Sequence, residues 1–130
     1  ALTLFDEAAE LAASVQNFWW HGIALMEAAA TRAVHRDSAS GALALIEVLD
    51  HWDRVGDWSQ QWLNLRYVAR FLVRVGAQDD AIALHYALVG AGRLSPLAPA
   101  QLASLGEQPQ DALTAAEALV RARTVLLNYT

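Results

Sequence analysis

Trp52-Asp53-Arg54-Val55-Gly56-Asp57-Trp58-Ser59-Gln60-Gln61-Trp62 is the stretch on which the fold turns. Gly56 suits the left-handed conformation that closes a helix, and the Asp57 side chain suits the free N–H groups that open the next. One helix therefore ends near Arg54 and another begins at Trp58. Upstream, Leu45, Val48, Leu49 and Trp52 recur at three- and four-residue spacing, the buried stripe of a helix over about 41–54. Downstream, Trp58, Trp62, Leu65, Ala69, Leu72 and Val73 make the same pattern over about 58–75, and Gly76 ends it.

The pattern extends in both directions. A leading helix is expected over about 3–16, with Leu4, Ala8, Leu11, Ala12 and Val15 on one face. Asp6, Glu7 and Glu10 fall near its start, where the helix dipole favours acids, and Asn17 serves as break and cap. A second helix is expected over about 18–35, with the apolar series Trp19, Ile23, Met26, Ala30 and Ala33. The cluster Asp37-Ser38-Ala39-Ser40-Gly41 interrupts it and offers several capping side chains. Beyond Gly76, Asp79 and Asp80 open a fifth helix that carries Ile82, Leu84, Leu88 and Val89 on its apolar side to about 91. A loop over 92–96 follows, and Pro96 and Pro99 suit the first turn of a short helix over about 98–105. After a second loop over 106–111, Thr114-x-x-Glu117 is a capping box before a last helix that runs to about 127.

A displacement of 39 residues places Trp19 on Trp58, Ala30 on Ala69, and Ala42-Leu43-Ala44-Leu45 on Ala81-Ile82-Ala83-Leu84. Small alanines let antiparallel helices approach, while Trp and Leu fill the space between neighbouring pairs. A single pair cannot bury both faces, so stacking is expected. The expected fold is all-α: tetratricopeptide-like antiparallel hairpins in a short solenoid of six to seven helices, with a period above the usual figure of about 34. One domain spans 1–130, divided into a leading helix (1–17), repeat one (18–56), repeat two (57–95) and a capping tail (96–130). The alternative is an ordinary helical bundle, because an Ala/Leu-rich chain matches itself by composition.

Composition narrows the function. Apolar residues make up 55% of the 130 residues and charged ones 18%, a globular balance rather than that of a disordered segment. All nine basic residues are arginine, the codon preference of a high-GC genome. A net charge of −5 argues against direct nucleic-acid binding, which needs surplus cations. With no cysteine there is no disulfide, zinc–thiolate site or thiol nucleophile. Asp6, Glu7 and Glu10 directly after Leu4 do not read as a signal peptide, and no apolar run has the length of a membrane span. A cytoplasmic protein is expected.

The stretch Trp52-x-x-x-Gly56-Asp57-Trp58-x-x-x-Trp62-x-x-Leu65-Arg66, continuing to Leu72, Gly76, Ala81 and Leu84, resembles the C-terminal tetratricopeptide-like helices of actinobacterial LuxR-type and cyclase-linked ATP-binding transcriptional regulators. Leu105-Gly106-Glu107 and Leu113-Thr114-Ala115-Ala116-Glu117-Ala118 are similar to the closing motif of those regions. The resemblance covers the chain from about residue 20 onward. It implies a sensing and scaffolding segment that regulates an attached ATPase or output domain. The family's phosphate loop requires a lysine that this chain lacks, and no helix-turn-helix is recognisable, so no ATP- or DNA-binding residue carries over.

Catalytic patterns are not evident. His21, His35, His51 and His85 include no His-x-x-x-His pair and read as surface or half-buried satisfied rings. The acid groups Asp6/Glu7/Glu10, Asp50/Asp53/Asp57 and Asp79/Asp80 fall where capping explains them, and no serine sits on a Gly-x-Ser-x-Gly elbow. We therefore expect no enzyme, no catalytic, cofactor-binding or metal-binding residues, and no cofactor. Two features point to partners instead. Trp19 and Trp20 are adjacent and diverge by about 100°, so one of them is expected at the surface as a contact residue. Arg66, Arg70 and Arg74 recur every fourth residue, either as a solvated stripe paired with nearby Asp or as a contact for an anion or acidic partner. The expected partners are a protein segment, neighbouring domains of the same regulator, or a small effector. An oligomerisation module that forms a homo-oligomer is the second reading, cued by the high apolar fraction, and a small helical enzyme the third.

Overall fold

The computed structural model of the chain describes residues 2–14, 18–35, 37–105 and 112–130. They are all-helical, with no strand among the described residues. Seven helices are described: α1 (Leu2–Ser14), α2 (Phe18–His35), α3 (Ser38–Val55), α4 (Trp58–Val75), α5 (Gln78–Gly90), α6 (Pro99–Leu105) and α7 (Ala115–Leu127). The starts of α2 and α4, and those of α3 and α5, are 40 residues apart in each case. The chain forms two compact units, residues 1–64 with 126–130, and residues 65–125. The division falls inside α4 rather than at the Gly56 turn.

Local chemistry sets the helix ends. Asp37 accepts the Ser40 N–H at 2.9 Å and caps α3, which therefore begins at Ser38, three residues before the expected Gly41. Gly56 sits at φ 78° and hands its N–H to the Trp52 carbonyl, so the left-handed stop is used as expected. Asp57 then accepts from Gln60 N at 3.1 Å and opens α4. The capping box is formed reciprocally: Thr114 N donates to Glu117 Oε1 at 2.9 Å and Glu117 N donates to Thr114 Oγ1 at 3.2 Å. Asp79 and Asp80 lie in the first turn of α5, whose cap residue is Ala77.

In the first unit α2 packs on both α1 and α3. Phe18 at the start of α2 meets His51 near the end of α3, which makes that pair antiparallel. Met26, Ala28 and Ala29 of α2 and Leu45, Val48, Leu49 and Trp52 of α3 are buried, each large side chain contributing about 1.5–3 kcal/mol. The buried positions of α2 are Gly22, Ala24, Met26, Ala28 and Ala29, not the expected Trp19, Ile23, Ala30 and Ala33. The reason is Gly22. A Cβ there would fall on Trp52 Cη2, 2.5 Å from Trp52 Cζ2 and 2.6 Å from Cδ2 of His51. At position 22 the bulk comes from Trp52 and His51 of α3, and α2 contributes only backbone.

The apolar face of α1 differs from the expected one as well. Ala9 is buried while Leu4 and Ala8 are exposed. The first turn of α1 contains no acid, and Asp6 instead pairs with Arg32 of α2 at 2.6 Å. Val15, Gln16 and Asn17, with the break expected there, lie outside the described residues, as do the side chains of Leu11 and Ala12 and the loop 106–111 with its Gly106-Glu107 motif.

In the second unit, Leu65, Val68, Ala69, Phe71 and Leu72 line α4 and Ala81, Leu84, Ala87 and Leu88 line α5. Ile82 and Leu97 form a smaller cluster covered by Val73, Tyr86 and Leu102. Val89, expected on the buried stripe, is exposed. Arg121 of α7 bonds Asp80 of α5 at 2.8 Å. The buried positions Ala42, Ala44, Leu45, Ile46, Val48 and Leu49 of α3 have buried residues 39 positions on in α5: Ala81, Ala83, Leu84, His85, Ala87 and Leu88.

Candidate functional site

The α2/α3 hairpin leaves a cleft at its open end, where α2 starts and α3 stops. It has a volume of about 520 Å³ and is lined by Phe18, His21, His51, Arg54 and Val55. The size falls within the usual range for small-molecule sites, roughly 300–1,000 Å³. Helical spacing explains the lining: Phe18 and His21 are one turn apart on α2, and His51, Arg54 and Val55 span one turn of α3.

Both histidine rings are tied to the backbone. His51 is buried and its Nε2 lies 2.7 Å from the Phe18 carbonyl, while His21 Nδ1 lies 2.7 Å from the Ala9 carbonyl. A carbonyl oxygen only accepts, so each bonded nitrogen carries the proton. The two rings meet edge to face with centroids 5.2 Å apart, and His51 stacks in the same way on Trp52 at 4.9 Å. Burial pushes the His51 pKa down; the Phe18 hydrogen bond opposes this, and His21 and Arg54 lower it further. His51 is therefore neutral at pH 7.

The first turn of α2 is aromatic. Phe18 is 63% exposed, Trp19 41% and Trp20 58%, and the two tryptophans meet edge to face at 4.8 Å. The sequence predicts one surface tryptophan here; the structure puts both at the surface, because Gly22 rather than Trp19 faces Trp52.

The arginine stripe on α4 is placed differently. Arg70 Nε donates to the Pro96 carbonyl at 3.0 Å and fastens the loop after α5. Arg66 is half-buried, its Nε without a hydrogen-bond partner, and Arg74 is exposed. The three do not share one environment, and none lines the cleft.

Two polar groups on α4 carried no sequence signal. Gln61 is buried and its Nε2 donates to the Leu49 carbonyl at 2.9 Å, and Asn64 is fully buried. His85 is also buried, which pushes its pKa down, and it meets Ser95 Oγ at 3.1 Å. The Ser95 hydroxyl donates to the Leu97 carbonyl at 2.9 Å, so the pair closes a loop and leaves no hydroxyl proton for His85 to remove. No group of three or more metal-ligating side chains occurs among the described residues. No described helix is long and apolar enough to cross a membrane.

The His21/His51 pair had a legible signal. In an antiparallel hairpin, residues equidistant from the turn face each other. His21 stands 15 residues before position 36 and His51 stands 14 after position 37. A search for His-x-x-x-His within one helix passes over such a pair.

The described residues form an all-α protein of the helical-repeat kind with a cleft on its first hairpin. No family model matches the chain, and no curated protein or solved structure matches it.

Proposed function

We propose that this chain is a non-catalytic interaction or effector-sensing domain of a bacterial signalling or transcriptional regulator, and that it recognises its ligand at the open end of the α2/α3 hairpin. The observation that carries this reading is the cleft of about 520 Å³ lined by the exposed Phe18, with Trp19 and Trp20 also exposed in the first turn of α2. Exposed aromatic side chains beside a concave surface are the composition of recognition sites. The resemblance of the Trp52–Trp62 stretch to LuxR-type regulators supports the regulatory setting, in which ligand binding biases the arrangement of neighbouring domains.

Recognition fits the cleft better than catalysis does. Each histidine gives one nitrogen to a backbone carbonyl, and the described residues of the lining include no carboxylate to act as acid or base. A thermal-shift screen against small metabolites, run in parallel on Phe18→Ser, tests the reading. We expect at least one compound to raise the melting temperature of the native chain and to lose that effect in the variant. Ligands that stabilise both equally would contradict it.

A second reading, oligomerisation, is favoured by the exposed Leu4, Val34 and Leu43 in addition to Trp19 and Trp20. Sedimentation of the 130-residue chain separates the two.

A further inference from the structure

We propose that the cleft binds a small organic carboxylate, with the Arg54 guanidinium as its charge partner and Phe18 and Val55 as its apolar walls. This rests on the reading of the chain as an effector-binding domain and supplies the ligand class that reading leaves open.

The charge of the lining decides between ligand classes. Among the described lining side chains, Phe18 and Val55 are apolar, burial keeps the His51 ring uncharged, His21 gives its Nδ1 to a backbone carbonyl, and Arg54 carries a permanent positive charge. A cationic ligand would be set against that guanidinium. A neutral one would make no use of its charge. A carboxylate matches its planar, two-donor edge. Other arginines already have acceptors: Arg32 holds Asp6, Arg121 holds Asp80, and Arg70 holds the Pro96 carbonyl. Arg54 is the one that faces this cleft.

The helix ends agree with this sign. The cleft lies against the first turn of α2, whose leading N–H groups carry partial positive charge. The C-terminal end of α3 would oppose an anion through its last carbonyls. The Trp52 carbonyl, however, already accepts from Gly56 N at 2.8 Å and from Asp57 N at 3.3 Å. The exposed Phe18 ring and the Val55 side chain favour an acid that carries a ring or short aliphatic body rather than a bare inorganic ion.

The experiment titrates the whole 130-residue chain with benzoate and phenylacetate, with benzamide and benzylamine as the neutral and cationic analogues, and follows the His21 and His51 ring resonances by NMR. Both carboxylates should saturate at millimolar concentration and shift both rings. Arg54→Gln should weaken them by about tenfold or more, the scale of one charge-assisted contact, and Arg54→Lys by less. The proposal is overturned if benzylamine or benzamide binds as tightly as benzoate, if Arg54→Gln leaves the carboxylate affinity unchanged, or if neither acid saturates. Tight binding of an analogue would remove the carboxylate assignment and leave the recognition reading standing. Silence from every probe and from the metabolite screen would remove both. Because Arg54 is an exposed residue near a helix end, folding of its variants is checked by their unchanged circular dichroism.

Discussion

Replacing Gly22 by alanine sets two opposed effects against each other, and the structure says which one wins. In an exposed helix the change gains about 0.8–1.0 kcal/mol, because alanine loses less backbone entropy than glycine. At Gly22 the added methyl would lie 2.5 Å from Trp52 Cζ2 and 2.6 Å from His51 Cδ2, far inside van der Waals contact. Trp52 is 1% exposed and stacked on His51, so the ring has no open space to move into. Overpacking of this kind costs typically about 1–3 kcal/mol, and here it meets a rigid ring and not the end of a flexible chain. The net expectation is a loss of roughly 1–2 kcal/mol, or a fall of roughly 3–10 °C in melting temperature.

The control is Gly90→Ala. A Cβ at Gly90 would meet Ala112 Cβ at 3.6 Å, an ordinary contact, so this change should be neutral or stabilising. Thermal and urea unfolding followed by far-UV circular dichroism reads both variants. Trp52→Phe removes the two ring atoms in question, so the cost of Gly22→Ala should shrink in that background, a coupling that a double-mutant cycle measures. If Gly22→Ala proved as stable as the native chain, with no coupling to position 52, the close approach of α2 and α3 would be refuted.

Other consequences can be checked alongside. Thr114→Ala removes a helix cap and should cost about 0.5–2 kcal/mol in chemical denaturation, and Asp37→Ala, which removes the cap of α3, should also lower stability, while Ser59→Ala, inside the first turn of α4 and exposed, should change little. His51 and His85 have pKa values lowered by burial, so the unfolded chain takes up protons first as pH falls; stability should be full above the ordinary value of 6.5 and decline as pH drops below it, and His51→Gln should flatten that decline in pH-dependent urea midpoints. Asp37 and Glu117, whose hydrogen bonds to Ser40 and Thr114 lower their pKa values, should add a second decline as pH falls through and below the ordinary carboxylate range. If the exposed Trp19 and Trp20 mediate self-association, sedimentation should show a concentration-dependent dimer that Trp19→Ser/Trp20→Ser abolishes; a strict monomer at high concentration would remove the oligomerisation reading.

The parts of the fold that local chemistry dictates were legible in the sequence. Gly56 closes α3, Asp57 caps α4 and Thr114 with Glu117 opens α7, each through contacts within a few residues. The stripes of α3 and most of α4 were legible too, because Leu45, Val48, Leu49, Trp52, Leu65, Ala69 and Leu72 concentrate bulk on one face. The stripe of α2 was not. Hydrophobic periodicity weights Trp19 and Ile23 over Gly22, yet the partner helix brought Trp52 and needed the smallest residue opposite it. The same reasoning explains the site. Trp19 and Trp20 were visible as candidates from adjacency alone, but the cleft beside them joins residues about 30 positions apart, a pairing that only the hairpin register creates. Arg66, Arg70 and Arg74 looked like one surface because helical spacing aligns them; the Pro96 carbonyl then engaged the middle one. Gln61 and Asn64 are polar types in a buried layer, which no periodicity rule anticipates.

The claim that most needs testing is that the open end of the α2/α3 hairpin recognises a ligand and does not transform it. Backbone amide chemical shifts, recorded during titration with the best compound from the metabolite screen, test it most directly when the compound is recovered and analysed afterwards. The account predicts perturbations concentrated at Phe18–Gly22 and His51–Val55 and a ligand recovered unchanged. Perturbations centred on Arg66, Arg70 and Arg74, or a ligand chemically altered by the chain, would contradict it.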